Sequence, residues 1–292
     1  MQFVQNACMI NLVVSSILTA SNTSPYKFTW NSLINYHRLI KHDYNYDDAR
    51  FLLKLSLMVT SANLANTSLN PPNIFTEHIE LIYEECPKTN KVINLKESFT
   101  KLKGSAVLGH LLYDKINNTL FIVFSGTSNT CMAGLDLEYT QIELDSLLNY
   151  SPGMKAHQGI TVAYLSIRKQ LINHFLSFIP QNPKIIITGH SLGGALGQLC
   201  ALDLAFYKPI HYTFASPLIL NQLSANVFEK FITNSYRITN QSDLVTMSPL
   251  PVMPNGDIFL HVGKLIMFQR NLGEYPANHS IAYLQEFTIT ED

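Results

Sequence analysis

Lys184-Ile185-Ile186-Ile187-Thr188-Gly189-His190-Ser191-Leu192-Gly193-Gly194-Ala195 is the stretch that decides how this chain is read. Its first five residues form an apolar, β-branched run suited to a buried strand. From Ala195 to Tyr207 the chain continues with apolar residues and helix formers, the make-up of a buried helix. Between the two, Gly189 to Gly193 spells G-x-S-x-G. Strand, sharp turn and helix together are the setting in which this motif exposes a serine nucleophile at the end of a sheet. The glycines have a physical job, because the serine sits in strained backbone where strand and helix crowd together. The five letters alone arise often by chance, so it is the flanking strand and helix that carry the reading. The competing reading is a glycine-rich turn that does no chemistry.

Working outward, residues 211–215, 235–238 and 259–262 read as further strands downstream. Upstream, residues 47–66 are helical, with Phe51, Leu52, Leu55, Met58 and Val59 recurring at helical spacing. Asn70-Pro71-Pro72-Asn73 is a loop. Residues 105–113 and 119–125 look like two strands joined by the turn residues 114–118, which predicts a hairpin. A variable stretch, 126–157, precedes a helix whose apolar face is Ile160, Tyr164, Ile167, Leu171 and Phe175, ended by Pro180. Strands alternating with helices predict an α/β fold. Its central sheet is mainly parallel with helices on both faces, and antiparallel strands are added at its edges.

Residues 1–46 read as an N-terminal extension to a domain covering 47–292. Phe3 to Ala20 is mostly apolar and is a candidate signal or anchor segment, with an N-terminal helix packing on the domain as the alternative. No Lys or Arg precedes it, and Gln5, Asn6 and Asn11 interrupt it. The 292 residues are 47% hydrophobic and 14% charged, with a formal net charge of −1, so nothing in the balance suits a nucleic-acid partner. The four cysteines, Cys8, Cys86, Cys131 and Cys200, include no C-x-x-C pair and give no support to a metal site. Asn66-Thr67-Ser68 and Asn278-His279-Ser280 have the form of glycosylation acceptors and are read as chance.

A serine nucleophile needs a base and, behind it, a carboxylate. In the chain order Ser, Asp or Glu, His, the acidic candidates are Asp203, Glu229, Asp243, Asp257 and Glu274. Asp243 is favoured because it follows the strand at 235–238 in a loop, where ligand chemistry collects in open α/β sheets. Asp203 lies inside the helix after the nucleophile, and Asp257 sits in a turn. Among His211, His261 and His279, chain order removes His211, and His261 alternates within a predicted strand. His279, in a loop before an apolar segment, is favoured. The oxyanion donors are placed at the backbone N–H of Leu192 and at Thr127, where the buried run 121–124 opens into polar residues. The chemistry calls for no metal or organic cofactor.

In this order the motifs resemble those of class 3 (fungal-type) lipases, within the α/β-hydrolase superfamily. Val123-Phe124-Ser125-Gly126-Thr127 is similar to that family's oxyanion strand, His157-Gln158-Gly159 to its His-x-Gly before a long helix, and 189–195 to its nucleophile elbow. Thr213-Phe214-Ala215-Ser216-Pro217, the segment 238–245, His261-Val262-Gly263 and 278–283 resemble its remaining motifs in order. The resemblance implies scaffold roles for His157 and His261, and hydrolysis of lipid esters at a lipid–water interface. Ser125 stands where the family usually has Arg, Ile160 where it has Phe and Ala215 where it has Gly; the last two read as packing changes. It also implies a lid at about residues 128–143, with Cys131, Met132, Leu135, Leu137 and Tyr139 as its apolar part.

Burying a leucine is worth about 1.5–3 kcal/mol, enough for a few such residues to bias opening at a lipid surface. Leu135→Asp combined with Leu137→Asp is therefore expected to lower activity on emulsified esters relative to monomeric ones. An unchanged ratio would remove the lid.

Overall fold

The computed structural model describes residues 29–30, 33, 40–83, 106–128, 132, 136, 138–273 and 276–289. The candidate signal segment, the lid residues Cys131, Leu135 and Leu137, and Glu274 lie outside them.

Seven strands form the main sheet: β1 (Glu77–Tyr83), β2 (Ala106–Asp114), β3 (Thr119–Phe124), β6 (Lys184–His190), β7 (Ile210–Phe214), β8 (Ser235–Asn240) and β9 (Lys264–Phe268). They lie side by side in that order. β1 pairs with β2 and β2 with β3 antiparallel, and from β3 to β9 all pairings are parallel. The antiparallel strands are thus gathered at one edge rather than at both. A second, two-stranded sheet pairs β4 (Gln141–Glu143) with β5 (Lys155–His157).

Alternation along β3 and β6 divides the core into two layers. Leu120, Ile122, Ile185 and Ile187 face helices α2 (Gln158–Phe178) and α3 (Leu192–Asp203), while Phe121, Val123 and Ile186 face α1 (Tyr46–Leu64). β6 is buried on both faces from Ile185 to His190, and its run Ile185–Ile187 is apolar on successive residues, as expected for a central parallel strand. Asn45 caps α1 by accepting from the Asp47 and Asp48 N–H groups, and these two acids lie in its first turn, where the helix dipole favours negative charge. Leu33 and Ile40, from the stretch before α1, are buried in the same layer. Two further helices are α4 (Gln222–Phe231) and α5 (Ala282–Glu286).

Two strand readings need correction. Residues 259–262 are not a strand. Phe259 and Val262 are buried by packing, and the only pairing there is an isolated bridge of Leu260 to Leu220. The sheet is completed instead by β9, an edge strand whose Leu265 and Met267 point outward at 47% and 57% exposure while Ile266 and Phe268 pack inward. β1 was not read as a strand because its charged and histidine residues break the apolar pattern; such residues suit an edge.

The reading of Ala215 as a packing change is also corrected. Its φ is +53°, in the left-handed region where Cβ clashes with backbone, and it is fully buried at the end of β7. That conformation costs an L-residue about 1–2 kcal/mol, more than the roughly 0.4–1 kcal/mol of unfolded-state entropy that separates alanine from glycine. Ala215→Gly is therefore expected to raise the melting temperature, as read by a thermal melt. A fall would mean that the alanine methyl packs well enough to outweigh the strain.

Candidate active site

The elbow is built by steric exclusion. Ser191 lies between β6 and α3 with φ +59° and ψ −126°. A Cβ on Gly189 would meet the Gly193 carbonyl at 2.2 Å, and one on Gly193 would meet the Phe124 oxygen at 2.4 Å. Only glycine fits at either position. The Ser191 N–H donates to the Phe214 carbonyl at 2.9 Å, tying the elbow to β7.

The structure brings Ser191, His279 and Asp243 together. His279 Nε2 is 2.8 Å from Ser191 Oγ, and His279 Nδ1 is 2.9 and 3.0 Å from the two Asp243 carboxylate oxygens. Asp243 is fully buried just beyond β8, and its carboxylate also accepts from the Tyr283 hydroxyl at 2.9 Å and the Val245 N–H at 3.1 Å. With the Tyr283 hydroxyl and the Val245 N–H also held on Asp243, the imidazole meets the carboxylate through Nδ1 and turns Nε2 toward the serine. Burial and the Asp243 charge push the Tyr283 hydroxyl far above its ordinary pKa, which keeps it a donor. His279 itself lies in a π-helical turn, Ala277–Ile281, a local geometry often found at functional sites.

Thr127 and Leu192 occupy matching places. Phe124 of β3 is in register with Gly189 of β6, and each of the two residues lies three positions further on. Gly126 adjoins the elbow and its N–H donates to Thr60 Oγ1 at 2.9 Å. The Thr127 hydroxyl donates to Asp136 Oδ2 at 2.7 Å. Burial raises the Asp136 pKa to about 7, the Thr127 hydrogen bond opposing the shift. At the position where Arg was expected, the buried Ser125 turns its hydroxyl to the Gly126 carbonyl.

The remaining candidates are scaffold. Asp203 accepts from Arg168, Tyr164 and the Leu148 N–H. Glu229 accepts from the Gly263 N–H, and Asp257 lies in a turn with Asn255. His157 caps α2 by accepting from the Ile160 N–H, His261 donates to the Thr246 carbonyl at 2.7 Å, and His211 Nδ1 is 2.9 Å from Ser235 Oγ. Burial lowers the pKa of His157 and His211 to about 3 and that of His261 to about 4, so all three are neutral at pH 7. Asn278 is buried and its side-chain oxygen accepts from the Leu272 N–H at 2.7 Å, so the second glycosylation-like triplet is used internally.

Sequence reasoning missed two positioning residues. Asn240, fully buried at the end of β8, donates to the Asn278 and Arg270 carbonyls at 3.0 and 2.9 Å and accepts from the Arg270 N–H at 3.0 Å. It thereby ties the strand leading to Asp243 to the turn carrying His279. His190, the variable residue before the nucleophile, is neutral through burial, with a pKa near 3, and its Nε2–H donates to the His279 carbonyl at 2.8 Å. The only sequence signal was their proximity to the motif.

Residues 121–253 match the family model for lipase (class 3). The lipase of Rhizomucor miehei is 31% identical over 157 residues, 50% of this chain and 40% of that protein. The secreted mono- and diacylglycerol lipase A of Penicillium camembertii is 27% identical over 150 residues, 49% and 47% of the two. The solved structure of the Rhizomucor miehei triacylglyceride lipase aligns with a TM-score of 0.48 at 27% identity, covering 56% of this chain and 62% of that one. The chain thus matches less than half the length of these curated relatives. Over residues 121–253 the chain is thus similar to the class 3 lipases.

A buried polar group left without a partner costs about 1–3 kcal/mol. Asn240→Ala strands several, so it is expected to lower stability in urea by at least about 2 kcal/mol. By letting the imidazole shift, it should also cost up to about a hundredfold in turnover of a soluble ester. Stability and turnover matching the unaltered protein would show that the bridge is dispensable.

Proposed function

We propose that this protein is a serine carboxylic ester hydrolase that cleaves acylglycerol esters through a covalent acyl-enzyme. The observation that carries the proposal is the unbroken relay of 2.8 Å from Ser191 Oγ to His279 Nε2 and 2.9 Å from His279 Nδ1 to Asp243. His279 Nε2 takes the hydroxyl proton as Ser191 Oγ bonds to the ester carbonyl carbon. The carbonyl oxygen becomes an oxyanion held by the N–H groups of Thr127 and Leu192, and Asp243 stabilises the imidazolium. The intermediate collapses, His279 returns the proton to the departing alkoxide, and the acyl group stays on Ser191. Water, deprotonated by the same imidazole, then releases the carboxylic acid and restores the serine.

The surroundings support a lipid substrate. The segment after Asp243 exposes Leu244, Met247, Leu250 and Val252, with Met247 and Val252 more than 60% exposed, and Ile281 is exposed two residues after His279. This apolar rim flanks the relay where a long acyl chain or a lipid surface would approach. The relatives named as lipases favour the same substrate class. Phospholipid, diacylglycerol and aryl-ester hydrolysis would use the same groups, and a panel of esters varied in acyl length and head group separates them.

A fluorophosphonate probe is expected to label the intact protein and not Ser191→Ala. Asp243→Asn is expected to cut turnover by about 10⁴, on the scale of protease triads. Absence of labelling in the intact protein would instead mark a binding protein that has kept the fold without turnover.

A further inference from the structure

At the antiparallel edge of the sheet, on β1 and β2, lies a cluster that the hydrolytic reaction does not use. In the strand register Glu80 of β1 stands directly opposite His110 of β2. His78 is two residues before Glu80, so its side chain leaves the strand on the same face. His78 Nε2 lies 2.8 Å from His110 Nδ1, and the two rings are stacked with centroids 5.1 Å apart. One ligand atom from each of His78, Glu80 and His110 lies within 4.8 Å of the others.

The cluster is closed at one end and open at the other. His110 is 1% exposed, and its Nε2 is buried without a hydrogen-bond partner, as are His211 Nε2 and His261 Nδ1 elsewhere in the fold. The ring nitrogen that faces His78 is Nδ1, so it is Nδ1 and not the orphaned Nε2 that is offered to a ligand. His78 and Glu80 are half-buried, so the cluster opens toward solvent and an ion has a path in. Burial moves both imidazoles below their ordinary pKa, to about 3 for His110, which leaves them neutral at pH 7.

We propose that His78 Nε2, His110 Nδ1 and a Glu80 carboxylate oxygen bind a divalent transition-metal ion of the zinc type, clipping the edge strand β1 to β2. Two imidazoles and one carboxylate are a borderline-soft donor set that favours zinc over calcium or magnesium. Three protein ligands leave a fourth tetrahedral position for water. With Zn–N bonds of about 2.0–2.1 Å, tetrahedral geometry sets two ligand nitrogens about 3.3 Å apart. The His78–His110 pair must open by about half an ångström from its 2.8 Å contact, and one ring must change tautomer, so that both lone pairs face the ion. The half-exposed His78 ring is free to make that movement. The clip would add a cross-link to two strands already paired along β1, and it would also act on the sheet beneath the site, because β2 pairs directly with β3, which leads to Thr127.

Isothermal titration of the metal-stripped full chain with Zn²⁺ tests the assignment, with Mg²⁺ and Ca²⁺ as comparisons and Co²⁺ as a spectroscopic probe. The expected result is one saturable Zn²⁺ equivalent, a melting temperature that rises with Zn²⁺, visible Co²⁺ bands of tetrahedral intensity, and no heat from Mg²⁺ or Ca²⁺. His78→Gln and Glu80→Gln, both at half-buried positions, should each weaken Zn²⁺ binding by more than about tenfold, the lower end of what losing even an outer partner costs. Thermal melts in EDTA report whether each variant is folded, and either variant alone suffices. Absence of saturable Zn²⁺ binding in the intact chain, or undiminished binding in a folded variant, overturns the proposal. Neither result bears on the hydrolytic reading, which fluorophosphonate labelling of Ser191 tests separately.

Discussion

The site depends on one steric fact: the backbone of β6 and the first turn of α3 approach so closely that nothing larger than hydrogen fits at Gly189 or Gly193. That approach forces Ser191 to φ +59° and lifts its side chain out of the turn. A conformation of this kind costs about 1–3 kcal/mol and persists only where the surroundings over-determine it. Here the surroundings are the strand and helix themselves, both fully buried around the turn, and the hydrogen bond from Ser191 N–H to Phe214. The strain comes from the packing of a parallel strand against its crossover helix, so the Ser191 side chain is positioned before any partner reaches it.

The partners arrive from separate segments that the sheet aligns. β6, β7 and β8 are parallel neighbours, so their C-terminal ends share one edge of the sheet. Ser191 follows β6 and Asp243 follows β8, while His279 comes from the turn beyond β9. Tyr283 joins these levels, donating to Asp243 while its oxygen accepts from the Asn240 N–H at 2.9 Å. With Asn240 bonded to the backbone of the His279 turn and His190 to the His279 carbonyl, the imidazole is held from three sides. Such support keeps the His279 ring within hydrogen-bond reach of the Ser191 hydroxyl. The carboxyl group of Asp136 plays a comparable part at the Thr127 hydroxyl.

Much of this was legible in the chain because the signals are local. An apolar β-branched run, glycines around a serine, and turn residues between two strands act over a few residues, and β6, the elbow, the β2–β3 hairpin and α2 formed where that chemistry placed them. Local signals failed where burial and pairing part company. Phe259 and Val262 are apolar because they are packed over, not because they pair, whereas the charged and histidine-bearing β1 pairs along its whole length. Ala215 reads in sequence as a small packing substitution, and its left-handed backbone emerges only from the bend at the end of β7.

The sequence by itself determined the strand, sharp turn and helix around Ser191 and the ordered set of residue types offered for a site, since these rest on short-range sterics and on chain order. It also favoured Asp243 and His279, and the tertiary structure set the two in contact and supplied the buried Asn240 amide and Tyr283 phenol that hold them there. The tertiary structure alone also brought His78, Glu80 and His110 to one point. Such contacts join residues some thirty to ninety positions apart, where distance in the chain carries no information, and only the packing of strands, loops and turns around the sheet makes remote residues neighbours.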